Sequence, residues 1–418
     1  MSTPLTIQVF QLNEFLWTKH PYPKLFFRWN PLTNKFDPFS GSYSPVLFGL
    51  FTFFPLFFLV ILNTFLTITF ILQPELTSIL DRFVTLEIFS LNLFCFVSIV
   101  YAFRNRVGLA IYINSLLSIC SNSNGLNQET TNIGPETKFK SFIRNIFEEI
   151  RKIKTGEKCD STGVIANIMS LYFGFIPPVL TACGIIMCWV AEVNVDPLYL
   201  VFRYFSDSSD DYDSFFKGCI RIVFSHLCIQ EGGRTLCFVL TYIIAACECT
   251  ESTLEKIHHI STTDRIQAVK EYNTFYILHL AGSAEIGPLP FATLLVGYAV
   301  LMLSASATIM GYELLPPQIY WYAPVLTMVC LAVMLVGLPY STGCYALSED
   351  MLKSWKRVNE KKWFRKRLRA MRPVCFYFGG FRELNIEFMM IYLESVFETT
   401  MSLTVLFNAE TNLTHLLV

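Results

Sequence analysis

Two carboxylates near the end of the chain have a spacing that could support chemistry. Glu394 and Glu398 stand four residues apart in an apolar stretch, so on a helix they would share one face. A general acid–base pair is one use for such a spacing. The sequence has no G-x-S-x-G, no H-E-x-x-H and no glycine-rich phosphate loop to accompany the pair. We therefore expect neither enzymatic activity nor a cofactor.

In a membrane the same two carboxylates have other uses, because an unpaired carboxylate in lipid is costly. They could line a conduction path and attract cations to it. They could instead pair with Arg or Lys from cytosolic helices, or face a water-filled inner vestibule. The sequence leaves these alternatives open.

A polar stripe follows the carboxylates along the same segment. Thr400, Thr404 and Asn408 recur every four residues, which places them on one side of a helix, and Leu403 and Phe407 form an adjacent apolar stripe. If several copies of the helix surrounded one axis, the polar stripe would line a narrow pore, and the apolar stripe could provide a constriction that excludes water. As an alternative, the hydroxyl groups could bond only to their own helix backbone.

One group of cysteines and histidines has a spacing that loosely resembles a metal site. Cys247, Cys249, His258 and His259 lack the paired C-x-x-C that zinc sites commonly use. We expect these residues to pack within a helical bundle, and we expect no metal.

The composition shows what kind of molecule must position these residues. Of 418 residues, 53% are hydrophobic and only 16% are charged, against about 25% in soluble domains. The mean hydropathy is +0.45. The net charge of −1 excludes a general attraction to nucleic acid. The composition predicts an all-α, polytopic membrane protein.

Apolar stretches long enough to cross a bilayer, about 20 residues each, divide the chain. We expect a seven-helix transmembrane domain over residues 46–408, between an N-terminal tail (1–45) and a short C-terminal tail (409–418). The seven predicted spans are residues 46–72, 83–103, 164–191, 219–249, 288–311, 320–345 and 386–407.

The distribution of basic residues orients these spans. Most of the 32 Lys and Arg fall in the N-terminal tail and in the loops after spans two, four and six. Because cytoplasmic loops are enriched in Lys and Arg, the N-terminus is predicted to be cytosolic and the C-terminus extracellular. The sequon Asn412-Leu413-Thr414 lies in that outer tail. This orientation is the reverse of a G-protein-coupled receptor.

The segment Lys366–Leu406 carries a resemblance to a known family. Arg372-Pro373 ends a basic and aromatic stretch, Gly379-Gly380 is expected to form a turn, and Phe388 is expected near the start of the last helix. With seven spans and an inside N-terminus, the chain resembles the arthropod gustatory and odorant receptor superfamily, whose members are tetrameric ligand-gated cation channels. The family closes with Thr-Tyr, five hydrophobic residues and Gln-Phe. Here only Thr400 is kept, which indicates a divergent member.

The resemblance implies a small-molecule site in the outer half of the bundle and a gate on the last turns of the final helix. Thr404 and Asn408 match the gate. Aromatic residues at the outer depth could equally form an interfacial belt, and Glu87 could pair with Arg221 rather than with a ligand. The implied ligand-binding residues are Phe83, Glu87, Ser90, Met187, Trp189, Arg221, Ser225, Tyr320 and Tyr322.

The resemblance also implies a cytosolic anchor between subunits, over residues 353–384. Trp355, Trp363 and Phe364 lie in its basic stretch, Lys353–Arg372, and are expected to contact a neighbouring subunit. Anionic inner-leaflet lipid is the alternative partner for that stretch.

The expected function is therefore a chemosensory, ligand-gated cation channel in the plasma membrane. Its expected partners are a small-molecule ligand, membrane lipid and further subunits in a homo- or heterotetramer, with no nucleic acid. Two other functions remain open. One is a membrane transporter or other membrane protein without channel activity, and the second is a metabotropic seven-helix receptor.

Overall fold

The fold is known from a computed structural model, which describes residues 27–30, 35–38, 53–72, 79–123, 215–314, 320–357, 362–378 and 382–417. Within these ranges the chain is mostly helical. Predicted span three, with Met187 and Trp189, lies outside the described residues, as do residues 46–52 of span one.

The described helices, in chain order, are α1 (Phe54–Leu72), α2 (Ile79–Arg104), α3 (Arg106–Ser123), α4 (Phe215–Thr263), α5 (Arg265–Ile286), α6 (Pro288–Leu314), α7 (Tyr322–Arg357), α8 (Lys362–Ala370) and α9 (Ile386–Leu417). The described strands are β1 (Phe27–Asn30), β2 (Lys35–Pro38), β3 (Tyr377–Phe378) and β4 (Arg382–Glu383).

Several helices continue beyond the apolar stretches that predicted them. Helix α4 runs on from the predicted end at 249 to Thr263, and α7 runs on from 345 to Arg357. Helix α9 continues through the predicted C-terminal tail to Leu417. Hydropathy detects only the part of a helix that is apolar, whereas polar residues with adequate helix propensity extend the same hydrogen-bonded backbone.

Among the described residues, three helices are long and apolar enough to cross a membrane: Thr85–Arg104, Pro288–Met310 and Ala323–Arg357. Phe54–Phe70 and Arg106–Ile119 are apolar but shorter. Helix α1 exposes large apolar side chains, such as Phe54, Ile61 and Ile68, along its length. Such a surface is suited to lipid rather than water. The chain is therefore a multi-pass membrane protein.

The membrane-crossing helices pack around α6. Helix α2 lies against α1, α4 and α6, and α6 also contacts α7 and α9. At the predicted cytosolic end, α4 continues alongside α3 and α5, and α8 packs on α7. One continuous apolar core runs through both regions.

A single residue separates α4 from α5. The Asp264 carboxylate accepts a hydrogen bond from the Gln267 backbone N–H at 3.0 Å, which caps the start of α5. Because the chain reverses there, α5 returns along α4 toward the membrane. Gly287 then separates α5 from α6.

Two small antiparallel hairpins add strands to a chain that was predicted to be all-α. In the first hairpin, β1–β2, the backbone N–H and carbonyl of Phe36 bond to the Asn114 side chain on α3, at 2.7 and 2.8 Å. The second hairpin, β3–β4, lies just before α9, where the Leu384 N–H donates to the Phe376 carbonyl at 2.9 Å. Backbone pairing over so few residues leaves no periodic pattern that a sequence reading detects.

Candidate functional site

The last helix, α9, begins at a capped end and packs along α6. The Asn385 side chain accepts a hydrogen bond from the Phe388 N–H at 2.8 Å and so satisfies one of the free donors of the first turn. Further along, the Tyr392 hydroxyl donates to the Leu294 carbonyl at 2.8 Å. The Tyr298 hydroxyl lies 2.6 Å from Thr399 Oγ1. These bonds fix the rotation of α9 about its own axis.

That rotation turns the predicted polar stripe toward the chain's own core. Thr400 and Thr404 are each only 7% exposed. The Thr404 hydroxyl donates to the Thr400 carbonyl at 2.8 Å, and the Ser306 hydroxyl on α6 donates to the same carbonyl at 3.3 Å. Leu403 is half-buried, and the side chains of Phe407 and Asn408 lie outside the described residues. The Thr404 hydroxyl thus bonds to the backbone of its own helix, which is the alternative to a pore lining that the sequence left open.

The opposite face of α9 is uncovered within the chain. Phe397 is 68% exposed and Val405 is 65% exposed, and Met401 lies between them. Glu394 and Glu398 are exposed on the same face. Among the described residues, neither carboxylate forms an ion pair with Lys or Arg.

Among the predicted ligand residues near the predicted outer end of the bundle, Glu87 is a buried carboxyl group with an unpaired oxygen. Its side chain is 8% exposed, and Oε1 has no hydrogen-bond partner. No ion pair joins it to Arg221, although the structure describes both side chains. The predicted alternative of a Glu87–Arg221 pair is therefore wrong.

The other predicted ligand residues fall into two groups. Ser90 bonds its own helix, donating to the Leu86 carbonyl at 2.9 Å, and Tyr320 donates to the Thr308 carbonyl on α6 at 3.3 Å. Arg221 is half-buried on α4. The second group consists of residues whose side chains the structure does not describe. They are Phe83, Ser225, Tyr322, Met187 and Trp189.

At the predicted cytosolic end, two helices, α5 and α7, hold the extended segment Met371–Phe376, which we call the connecting segment. The Tyr272 hydroxyl on α5 donates to the Arg372 carbonyl at 2.8 Å. Ser348 on α7 accepts from the Val374 N–H at 3.0 Å and lies 3.2 Å from its carbonyl. Because the connecting segment leads through the β3–β4 hairpin into α9, these bonds tie α9 to α5 and α7.

His279 on α5 supplies the most enclosed of these contacts. Its Nε2 lies 2.9 Å from the Cys375 carbonyl and must donate to it, since a carbonyl only accepts. Its Nδ1 lies 3.1 Å from the Tyr112 hydroxyl of α3, which donates to the neutral ring. The Phe376 ring meets the imidazole edge-on at 4.9 Å. Burial lowers the pKa of His279 to about 4, so the ring is neutral at pH 7.

A glycine makes this arrangement possible. A Cβ on Gly282, one turn along α5 from His279, would lie 1.8 Å from Cδ2 of Tyr112. The Tyr112 ring therefore occupies the space of a side chain on α5, which brings its hydroxyl within reach of His279.

The predicted anchor residues lie mainly inside the protomer. Trp355 is 2% exposed and meets Tyr272 edge-on at 5.8 Å, and Phe364 is buried in the same core. The side chain of Trp363 is not described. The exposed side of α8 carries basic residues, including Lys362, Arg365 and Lys366.

The four residues whose spacing loosely resembles a metal site lie in different surroundings in the structure. Cys247 and Cys249 are buried in the core, whereas His258 and His259 are exposed on the extension of α4. In the part of the chain that the structure describes, no group of three or more His, Cys, Asp or Glu is placed to hold a metal ion.

Sequence reasoning missed His279, Tyr112, Tyr272 and Ser348. Each is a single polar residue in an otherwise apolar or mixed stretch, with no partner nearby in the sequence. The one available signal was the combination of a lone histidine with a glycine three residues later, which is typical of a closely packed helix face.

Comparisons with known proteins identify the fold. No family model matches the sequence, and no curated protein matches it. The chain is similar to the structure of the insect olfactory receptor OR5 from Machilis hrabei in complex with eugenol, with a TM-score of 0.51 and 11% identity over 96% of this chain and 97% of that one. Another structure of the same receptor gives a TM-score of 0.46 and 12% identity over 83% and 87% of the two chains.

The similarity to the eugenol complex extends over nearly the whole of both chains, so it concerns the complete arrangement of helices rather than one motif. It agrees with the fold that the resemblance in the segment Lys366–Leu406 implied. The chain therefore has the fold of an insect olfactory receptor.

Proposed function

We propose that the protein is a chemosensory receptor of the plasma membrane that acts as a ligand-gated cation channel. The fold supports this function over the transporter and metabotropic alternatives, because the superfamily that the sequence resembles consists of such channels. The related olfactory receptor binds eugenol, which supports a small organic ligand for this chain.

The observation that carries the proposal is the uncovered face of α9. Two carboxylates, Glu394 and Glu398, share this face with Met401 and Val405 and have no ion-pair partner among the described residues. Carboxylates facing lipid are costly, whereas carboxylates facing a water-filled path attract cations. Copies of α9 arranged around an axis, with this face inward, would form such a path.

We accordingly place the pore lining on this face rather than on the Thr400–Thr404 side, which α6 covers. Asn408 follows Thr404 by four residues and Met401 by seven, so helical spacing places it at the border between the covered side and the proposed lining. Leu403 and Phe407 fall on the covered side by the same spacing.

Whole-cell recording tests the channel function. Expressing cells are challenged with sugars, amino acids and volatile odorants, and we expect an inward cation current for at least one class. A protein that reaches the surface yet carries no current with any compound would favour the transporter or metabotropic alternative.

Paired cysteine variants test the lining. Val405→Cys should make the current sensitive to a thiol reagent applied from outside, while Thr404→Cys, one residue away on the covered side, should stay insensitive. The parent protein, with its 13 native cysteines, provides the baseline. Sensitivity at Thr404→Cys alone would return the pore to the polar stripe.

We further propose a tetramer held at the predicted cytosolic end, with Trp363 and the basic side of α8 in the contact. Trp363→Ala should weaken the oligomer on size-exclusion chromatography in mild detergent. Trp355→Ala should instead destabilise the protomer, since Trp355 is buried in its own chain. An unchanged oligomer for Trp363→Ala would move the contact elsewhere, with lipid as the alternative partner of α8.

A further inference from the structure

Glu87 is a buried carboxyl group whose bonding is incomplete within the chain. It lies on α2, about two turns from the predicted outer end, and is 8% exposed. Its Oε1 is fully enclosed and has no hydrogen-bond partner. Buried polar atoms in proteins are almost always paired, because burial without a partner forfeits the hydrogen bonds that water provided.

The neighbouring groups do not relieve this deficit. The thiol of Cys330 on α7 lies within electrostatic range of the carboxyl group, but a thiol is only a weak donor. Arg221 forms no ion pair with it. Leu91 and Phe94 follow at four and seven residues, so they share its side of α2 and are apolar. The site thus combines one strong acceptor with an apolar wall.

We propose that Glu87 binds the basic nitrogen of a small organic amine, which enters as the ligand of this receptor. The inference rests on the proposed function and narrows its ligand class. An ammonium group supplies both a charge and hydrogen-bond donors, and charge-assisted hydrogen bonds are about twice as strong as neutral ones. A hydrocarbon skeleton attached to the nitrogen would contact the apolar side chains.

The position of the site links it to the proposed pore. Helix α2 packs against α6, and α6 in turn holds α9 through the Tyr298–Thr399 and Ser306–Thr400 contacts. An amine bound at Glu87 therefore lies one helix away from the helix proposed to line the pore.

The experiment compares ligands that share one carbon skeleton. Whole-cell currents are recorded with 2-phenylethylamine, 2-phenylethanol and phenylacetate, and with hexylamine and hexan-1-ol. We expect each amine to have a half-maximal concentration at least about tenfold lower than its alcohol, a ratio that reports differential binding. The carboxylate should be inactive because it would meet Glu87 with the same charge.

Two variants assign the preference to the carboxyl group. Glu87→Gln keeps the size of the side chain and removes its charge, so the half-maximal concentration for the amines should rise about tenfold while that for the alcohols changes little. Thr85→Val is the matched control, since Thr85 is a buried and unpartnered residue two positions away on the other side of α2. It should leave both responses unchanged.

Three results would overturn the inference: equal potency of amines and alcohols on the wild type, an unchanged amine response in Glu87→Gln, or an equal effect of Thr85→Val. Should Glu87→Gln fail to reach the surface, Glu87→Met provides a second variant of similar length. Thermal unfolding of the purified protein separates failure of this inference from failure of the channel function. Amines should raise the melting temperature of the wild type more than their alcohols do, even without current, and a shift equal for both would also overturn it.

Discussion

Glu87 and His279 are both buried titratable residues, yet their surroundings differ completely. His279 has a partner on each ring nitrogen and an aromatic ring against its edge. Glu87 has an enclosed oxygen with no partner. A satisfied polar group in a core specifies how elements fit together, whereas an unsatisfied one marks a place where a partner from outside is needed. The comparison separates a structural site from a candidate binding site.

The two regions around these residues differ in the same way. At the predicted cytosolic end, Tyr272, Ser348 and Asn114 also bond directly to backbone atoms of another element. On α2, the hydroxyl groups of Thr85 and Ser98 lack partners, as Glu87 Oε1 does. Tyr272, Ser348 and Asn114 are therefore satisfied within the chain, although the buried Nε1 of Trp355 at the same end has no partner, whereas α2 contains three polar groups of this kind.

The largest expected change in stability comes from a substitution at Gly282. In Gly282→Ala the new methyl group would meet the Tyr112 ring, so the ring must leave and the bond to His279 is lost. We expect a loss of about 4 kcal/mol in the free energy of unfolding from overpacking and an unpaired ring nitrogen together. Gly343→Ala is the control, because a Cβ there meets nothing within 4 Å. Equal stability of the two variants, measured by denaturant unfolding in detergent, would refute the tight contact.

The pH dependence of stability isolates His279. Its pKa is lowered to about 4 in the folded protein from 6.5, so the unfolded chain binds a proton first as the pH falls. The stability that depends on a neutral His279 ring is fully present above pH 6.5 and is lost as the pH falls toward 4. The free energy of unfolding should fall by about 3 kcal/mol over this range. His279→Gln, which does not titrate, provides the reference. The stability difference between wild type and variant should be constant above pH 6.5 and should shift in favour of the variant below it.

Opposite changes in stability should result from making each residue apolar. Glu87→Leu removes an unpaired carboxyl group and should raise the free energy of unfolding by about 2 kcal/mol. His279→Leu leaves the Tyr112 hydroxyl and the Cys375 carbonyl without a partner and should lower it. Both are measured in the absence of ligand at pH 7. A destabilised Glu87→Leu protein would mean that the carboxyl group has a structural partner.

The smallest effect comes from two buried serines. Ser348→Ala removes the bonds to Val374 and should cost about 1 kcal/mol, whereas Ser98→Ala removes a hydroxyl group without a partner and should be neutral or slightly stabilising. Thermal unfolding of the two purified variants side by side provides the measurement. A reversed order would contradict the difference between the regions.

Much of the last helix could be predicted from its residues. Its start at 386 is where the sequence placed it, because the apolar run follows a polar turn. The face that Thr400 and Thr404 occupy could not be predicted, since their spacing defines a stripe without saying what the stripe faces. The rotation of α9 depends on Tyr298, Tyr392 and Ser306, and the contacts of these residues join positions about one hundred residues apart.

The sequence alone determined that the chain is a mostly helical membrane protein without catalytic motifs, because composition and apolar run length depend only on neighbouring residues. It also indicated the receptor fold, through the segment Lys366–Leu406. Only the tertiary structure decided that Trp355 and Thr404 face inward, that His279 is fully bonded and that Glu87 is not. Burial and hydrogen-bond pairing depend on which distant side chains meet, and helical periodicity does not contain that information.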